Sequence, residues 1–419
     1  MGSELSIEGL KPASSSGSID RRGLEEEFDS ADRQSMKYGE LIIIGYNGSL
    51  PTHHRTCQQS KYILRKHDHP NGVKYSKHYV VTSPSKSKAF LDKRKYSIIF
   101  TKSKNQATIV EYQTDEQTDM FQVGRSTKTS NDFVVHNVIR GDFTPSQLSC
   151  RILVDRTYPH LARVYAAGFD SSKNIFLGEE ATKWENSILI CHPRGSYFGG
   201  EAKPGQWCEV SLGGRILSFH PSVLIKRKKI HSDMNVLQDG SLIDICGATL
   251  LWRSAESLKK SPTKEDLEKL VDNLNEKKPI CPVEFTTLVF PKETSTGVNC
   301  YPNRKQQPYV YLNCGHVQGL NMWSLQTGSL SYMCLLCRSV GPVVKLRMGM
   351  EPAFYVDYGP PTFAFNPCGH MASEKTVKYW VNVPTPYGTN GLDAICPFCA
   401  TPIVGSRGYV KLIFRNTVD

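Results

Sequence analysis

The sequence lacks any run of 18 apolar residues, the length a helix needs to cross a bilayer, and this argues against a helical membrane span. Its start, Met1-Gly2-Ser3-Glu4-Leu5-Ser6, carries no cationic segment followed by an apolar core, so no secretory signal is expected. The 13 cysteines are an odd number, which does not suit a closed disulfide framework. Without an export signal, Cys57, Cys150, Cys191, Cys208, Cys246, Cys281 and Cys300 read as reduced thiols, and a cytosolic or nuclear compartment follows, with the cytoplasm as the expectation. Helical periodicity is also scarce. It is confined to one amphipathic stretch in which Leu267, Leu270, Val271 and Leu274 follow a cap at Ser261-Pro262-Thr263.

What is present is unevenly charged. Residues 1–36 hold four basic and eight acidic side chains, are rich in serine, and read as a disordered tail. Residues 37–110 hold fourteen basic and three acidic side chains, including Lys86, Lys88, Lys93, Arg94, Lys95, Lys102 and Lys104. Such a cluster can meet nucleic acid or phosphorylated protein, or be a solvated face; no nucleic-acid partner is expected.

From Tyr38 to Arg253 short strand-like runs recur between Gly, Asn, Asp, Ser and Pro, among them Leu41 to Tyr46, Ala107 to Tyr112, Met120 to Val123, Cys150 to Val154 and Ile188 to Cys191. Evenly punctuated short strands without intervening helices predict an antiparallel β-sandwich. The span is long for one sandwich, and an inserted or appended β subdomain is expected. Arg125 after one strand, Ser146 and Ser149 before another and Asn186 before a third would together suit a phosphate dianion on a peptide.

The last third contains a duplication. Cys314-Gly315-His316 is followed by Cys334 and Cys337, and Cys368-Gly369-His370 by Cys396 and Cys399. Each unit offers three thiolates and one imidazole, a tetrahedral set for zinc, so two ions per chain are expected. Four protein ligands leave no position for water or substrate, which makes the sites structural.

The residues then become recognisable. Gly45-Tyr46-Asn47-Gly48, Asp119-Met120-Phe121-Gln122-Val123-Gly124-Arg125-Ser126, Cys246-Gly247-Ala248-Thr249-Leu250-Leu251-Trp252-Arg253 and the two cysteine units resemble the Pellino family along nearly the whole chain. The resemblance implies a forkhead-associated (FHA) phosphothreonine-binding sandwich with an extra β appendage, a connecting helix, and a C-terminal zinc-binding tandem RING-like domain of an E3 ubiquitin ligase. It further implies a conjugating enzyme (E2) and phosphorylated interleukin-1-receptor-associated kinases of Toll-type innate immune signalling as partners. The domains are expected at residues 1–36 (tail), 37–255 (FHA-like sandwich and appendage), 256–279 (connecting helix) and 280–419 (RING-like repeats).

Arg125, Ser146 and Asn186 match the family's phosphate-binding positions. The Thr-Asn pair of the family reads Glu185-Asn186 here, which predicts weakened discrimination between phosphothreonine and phosphoserine. Trp323 and Leu335, with Trp380 and Pro397 in the second repeat, occupy the places where RING domains present an apolar surface to the E2. A RING normally holds two zincs; here the positions that would serve the first, Gly319 and Ser373, are not ligands, so each repeat resembles a RING that kept only its second site, and Ile280-Cys281-Pro282-Val283 resembles a RING opening without its second cysteine, leaving Cys281 as a reserve ligand. A phosphoprotein-binding scaffold with structural zinc and no ligase activity is the alternative reading.

Overall fold

The computed structural model describes residues 35–46, 60–82, 95–103, 106–125, 127, 131–135, 149–177, 188–191, 205–218, 229–230, 235–245, 247–291, 306–319, 331–387 and 391–414. Residues 1–34 of the expected tail lie outside them, as do Ser146, Asn186, Trp323 and the lysine run 86–94. From Lys37 onward the chain forms a single compact unit, in which the expected sandwich, helix and zinc region are joined. No helix among the described residues is long and apolar enough to cross a membrane.

The sandwich has one large and one small layer. Its eight-stranded sheet runs in the order Lys229–Ile230, Ile216–Ser218, Trp207–Val210, Ile188–Cys191, Leu242–Ile245, Ala248–Ser254, Lys37–Tyr46 and Lys61–Arg65, antiparallel throughout. Opposite lies a four-stranded sheet of Phe133–Val134, Thr118–Gly124, Cys150–Asp155 and Ala162–Ala166. The side chains that meet between the layers alternate along each strand: Leu41 and Ile43, Val123 and Phe121, Ile152 and Val154, Ile243 and Ile245. The predicted appendage is a second four-stranded sheet, Asn174–Leu177, Tyr96–Ser103, Gln106–Asp115 and Gly72–Val81. Two pairings depart from the all-antiparallel expectation: Asn174–Leu177 runs parallel to Tyr96–Ser103, and Phe133–Val134 parallel to Thr118–Gly124.

Arg151 fastens the appendage to the sandwich. Its guanidinium is buried between the rings of Tyr112, Tyr165 and Phe169, 4.9–5.3 Å from their centroids. It donates to the carbonyls of Ala166 and Ala167 at 2.9 Å, to Leu212 O at 2.8 Å and to Tyr112 Oη at 3.2 Å. On the outer side of the appendage Lys77 and Lys95 both lie 3.6 Å from Glu111, so part of the basic stretch is engaged in ion pairs.

Asp244 is the chief buried carboxylate whose cost varies with pH. It accepts hydrogen bonds from Gly247 N at 2.9 Å and Thr249 Oγ1 at 3.0 Å, closing the hairpin between Leu242–Ile245 and Ala248–Ser254. Burial nevertheless lifts its pKa from 3.8 to about 6. The folded chain therefore holds this proton more tightly than the unfolded chain, so the associated stability is fully present below pH 4 and is lost as pH rises through 6. The difference corresponds to about 3 kcal/mol. In chemical denaturation between pH 4 and 7 the wild type should lose roughly that much relative to Asp244→Asn. Parallel stability profiles for the two proteins would contradict it.

The predicted amphipathic helix spans Lys264–Glu276 and starts at a capping box, in which Thr263 and Asp266 satisfy each other's backbone N–H groups. Leu267 and Val271 enter a core shared with the zinc region rather than spanning a gap between lobes. That core also takes Ile42, Ile44, Trp207, Leu242 and Leu251 from the large sheet, so the sheet is covered on both faces.

The two cysteine repeats are built alike and are interlocked. In the first, Pro308–Tyr311 lies between Val317–Gly319 and Val343–Lys345; in the second, Phe363–Phe365 lies between His370–Ala372 and Tyr409–Lys411. The segment that leaves each repeat then backs the other. Arg347 N donates to Gly369 O at 3.2 Å, and Ile413 N donates to Gly315 O at 2.9 Å. Both glycines have positive φ, +82° and +75°, and a Cβ on either would stand 2.1–2.3 Å from the carbonyl oxygen of Lys411 or Lys345. No other residue type fits there.

Candidate metal centres

Each repeat gathers its four predicted ligands. Cys314, His316, Cys334 and Cys337 form one set and Cys368, His370, Cys396 and Cys399 the other, with the ligand atoms of each within 4.8 Å of one another. A tetrahedron with Zn–S bonds of about 2.3 Å places its sulfurs roughly 3.8 Å apart, so both sets fit a zinc ion without rearrangement of the backbone. In each histidine the metal-facing atom is Nδ1: that of His316 lies 3.4 Å from Cys314 Sγ and 3.6 Å from Cys334 Sγ, and that of His370 lies 3.7 Å from Cys396 Sγ.

Local backbone explains why the Cys-x-x-Cys pairs point inward. Arg338 N donates to Cys334 O at 2.7 Å and Cys334 N to Ser339 O at 2.8 Å; in the second repeat Ala400 N donates to Cys396 O at 2.8 Å and Cys396 N to Thr401 O at 2.9 Å. Arg338 and Ala400 both take positive φ, 62° and 54°, to close these turns. Around the sulfurs stand ordinary polar groups, Gln318 Nε2 donating to Cys334 Sγ at 3.2 Å and Thr401 Oγ1 lying 3.1 Å from Cys399 Sγ. They orient the ligands, as partners behind a metal's own ligands commonly do.

The thiols are electrostatically divided. Burial pushes Cys314 up to about 12 and Cys396 well above the usual thiol value. Hydrogen bonds from the Cys368 and Cys396 thiols hold Cys399 far below it, and the backbone N–H of Ser339 draws Cys337 down. Three thiols and an imidazole held this close are costly while the thiols keep their protons, and a dication that displaces those protons relieves the cost. Site burial is unequal, since Cys337 is exposed whereas His370 and Cys396 are buried.

Cys281 joins neither set. It heads a third turn of the same kind, in which Phe285 N donates to Cys281 O and Cys281 N to Thr286 O, both at 2.9 Å, with Phe285 at φ 56°. Glu284 stands where a second cysteine would be needed, and the Cys281 sulfur accepts from Gly319 N at 3.3 Å. In the second repeat the corresponding place is filled by hydrogen bonds: Ser373 donates to Asp357 and accepts from Thr376 N at 3.1 Å, capping the helix Glu374–Trp380. Among the described residues, hydrogen bonds rather than further ligand side chains surround both positions.

Of the four apolar residues expected on a docking surface, two are corrected. Trp380 is 1% exposed, donates from Nε1 to Phe354 O at 2.8 Å, and belongs to the core. Pro397 is likewise buried, next to a Phe398 ring packed against Phe354, Tyr355 and Phe365. Leu335 in the first repeat is half-buried, and its neighbour Leu336 is 46% exposed. Phe285, 73% exposed at the tip of the third turn, was missed, although Cys281-Pro282 ahead of it repeats the Cys396-Pro397 pattern. The adjacent residues Gln318 and Gly319 bond to Cys334 and Cys281, so these two turns stand side by side.

In the sandwich, Arg125 follows the strand Thr118–Gly124 and is exposed, and Ser149, at the start of the next strand, is buried. Of Arg125, Ser146 and Asn186, the three positions that match the family's phosphate site, Arg125 alone is among the described residues.

Two family models cover the chain almost end to end: "Pellino, FHA domain" matches residues 29–270 and "Pellino, RING domain" matches residues 274–419. "Protein pellino" of Drosophila melanogaster is 54% identical, over 94% of this chain and 97% of that protein. Human "E3 ubiquitin-protein ligase pellino homolog 2" is 46% identical over 94% and 99%, and mouse "E3 ubiquitin-protein ligase pellino homolog 3" is 43% identical over 93% and 92%. With both domains matched in order, the zinc-ligand sets assembled and this identity along its length, the chain belongs to the Pellino family.

Proposed function

We infer that this member of the family is an E3 ubiquitin ligase that reads a phosphothreonine with its sandwich and positions a ubiquitin-charged E2 with its first zinc repeat. The observation that carries the ligase half is the pair of turns at Cys281 and Cys334, side by side and bearing exposed Phe285 and Leu336 beside a complete metal-ligand set. Zinc, when bound, supplies cross-links and no open coordination position. No nucleophile of this chain is needed, because a RING-type ligase accelerates transfer by holding the E2 thioester in a reactive orientation. Phe285, Leu335 and Leu336, with Trp323 from the sequence, form the docking surface. The second repeat, its Trp380 and Pro397 buried, serves as the platform behind it.

Leu336→Asp should leave two zincs per chain and abolish autoubiquitination with purified activating enzyme, E2 and ubiquitin. Wild-type zinc content without any ubiquitin transfer from a panel of E2 enzymes would favour the scaffold reading instead.

For the sandwich, Arg125 is the group that meets the phosphate, with Ser146 and Asn186 completing the grip. A charge-assisted hydrogen bond contributes about 1.5 to 3 kcal/mol. Arg125→Ala should therefore lower affinity for a phosphothreonine peptide at least tenfold, and the wild type should discriminate phosphothreonine from phosphoserine less sharply than relatives with the Thr-Asn loop. Titration of matched phosphothreonine, phosphoserine and unphosphorylated peptides measures this. Phosphorylated kinases of the interleukin-1-receptor-associated type, in Toll-type signalling in the cytoplasm, are the partners this reading favours.

A further inference from the structure

We propose that the sandwich and the zinc domain form one rigid frame that selects which substrate lysine receives ubiquitin, by fixing the spacing between the bound phosphate and the E2-docking turns. The proposal rests on the ligase and phosphopeptide reading above and adds to it a geometric rule for the substrate.

The outer face of the large sheet contributes Ile42, Ile44, Trp207, Leu242 and Leu251 to the same core that holds Phe354 and Trp380 of the second repeat. Polar contacts pin this interface at separate points. At one side Lys61 pairs with Glu351 at 2.6 Å, and at the other Trp207 Nε1 donates to Pro384 O at 2.9 Å. The strands of Lys61 and Trp207 are five places apart in the sheet, roughly 24 Å at the usual strand spacing. Between them Arg253 reaches across: its Nη1 donates to Ala353 O and, at 3.1 Å, to Tyr355 O, while Nε and Nη2 hold Asp239 and Ser261 at 2.9 Å.

An interface fixed at three separated points over a continuous apolar core has no hinge. Rotation in any direction would open buried apolar surface and strip the Arg253 guanidinium of its acceptors. The second repeat passes this rigidity to the first through the crossed segments at Gly369 and Gly315. Arg125, at the end of a strand in the small layer, and Leu336, on the first repeat, therefore sit on one body. A lysine too near the phosphothreonine to reach the E2, or carried past it by a stiff segment, is passed over.

The test uses the full chain with activating enzyme, E2 and lysine-free ubiquitin. The substrates are peptides with one phosphothreonine, a polyproline spacer of increasing length and a single lysine. Transfer should be confined to a window of spacer lengths and fall at least tenfold outside it. Phosphate-dependent transfer that is equal at every length overturns the frame and leaves the underlying reading in place. Absence of phosphate-dependent transfer at all lengths overturns that reading and the frame with it. Independently, probes introduced as unnatural amino acids at the exposed positions Tyr158 and Val404 should report one narrow distance, unchanged by saturating phosphopeptide. A broad distribution, or one that shifts with peptide, overturns the frame.

Discussion

Cys396→Ala is expected to cost the chain both zinc ions and all ligase activity, although it removes a ligand from the second site alone. Cys396 is fully buried, and without its thiolate three donors remain around an ion that needs four. A structural zinc contributes about 10 to 16 kcal/mol in apparent binding free energy, comparable with the whole stability of a domain. Loss of the second repeat withdraws the segment after Lys411 from the back of Gly315, where Val317 N donates to Ile413 O at 3.0 Å and Ile413 N to Gly315 O. The crossed segments predict that the two repeats fall together. Metal analysis should give well under one zinc per chain, and hydrogen exchange should show Val317 and Ile413 unprotected. Retention of one zinc with a protected first repeat would refute the coupling. Gly369→Val supplies a version that keeps all eight ligands: its Cβ would overlap the Lys345 carbonyl, and it should likewise weaken both sites.

Arg151→Met should destabilise the sandwich by at least about 4 kcal/mol, the largest effect expected from any single change away from the metal ligands. Methionine fills similar space but offers no donor. The carbonyls of Ala166, Ala167 and Leu212, together with the Tyr112 hydroxyl, would be left in a dry site without this partner. Each unmet buried acceptor costs about 1 to 3 kcal/mol, and the three surrounding rings lose their cation as well. Arg151→Lys keeps the charge without the planar fork and should fall between the two. Chemical denaturation monitored by aromatic fluorescence measures the difference; a loss below about 1.5 kcal/mol for Arg151→Met would mean that water or neighbouring groups replace the guanidinium.

The two candidate metal-ligand sets were legible because they are local chemistry repeated. Three sulfurs and a nitrogen at matched spacing admit few uses, and the turns that aim them depend on residues within the same short segments. The alternating strands of the sandwich and the Thr263 cap were legible for the same reason, since periodicity and capping are properties of neighbours in the chain. The strand Leu41-Ile42-Ile43-Ile44 is apolar without alternation because both of its faces are covered, Leu41 and Ile43 packing toward the small sheet and Ile42 and Ile44 toward the zinc region.

The sequence by itself determined which residues gather into the two candidate metal-ligand sets, where the strands and the amphipathic helix fall, and to which family the chain belongs. Only the tertiary structure decided which of two like repeats faces outward. Leu335-Leu336 and Pro397-Phe398 occupy equivalent places, yet the first pair borders solvent while the second meets Phe354 and Tyr355 under the large sheet. Exposure depends on what the rest of the chain lays over a residue. Arg253 is the same case: nothing in its own segment distinguishes a surface cation from one whose guanidinium meets Ala353 and Tyr355, about a hundred residues away in the chain. Periodicity and spacing are carried by neighbours along the chain, whereas burial and partnership are set by contacts that exist only once it has folded.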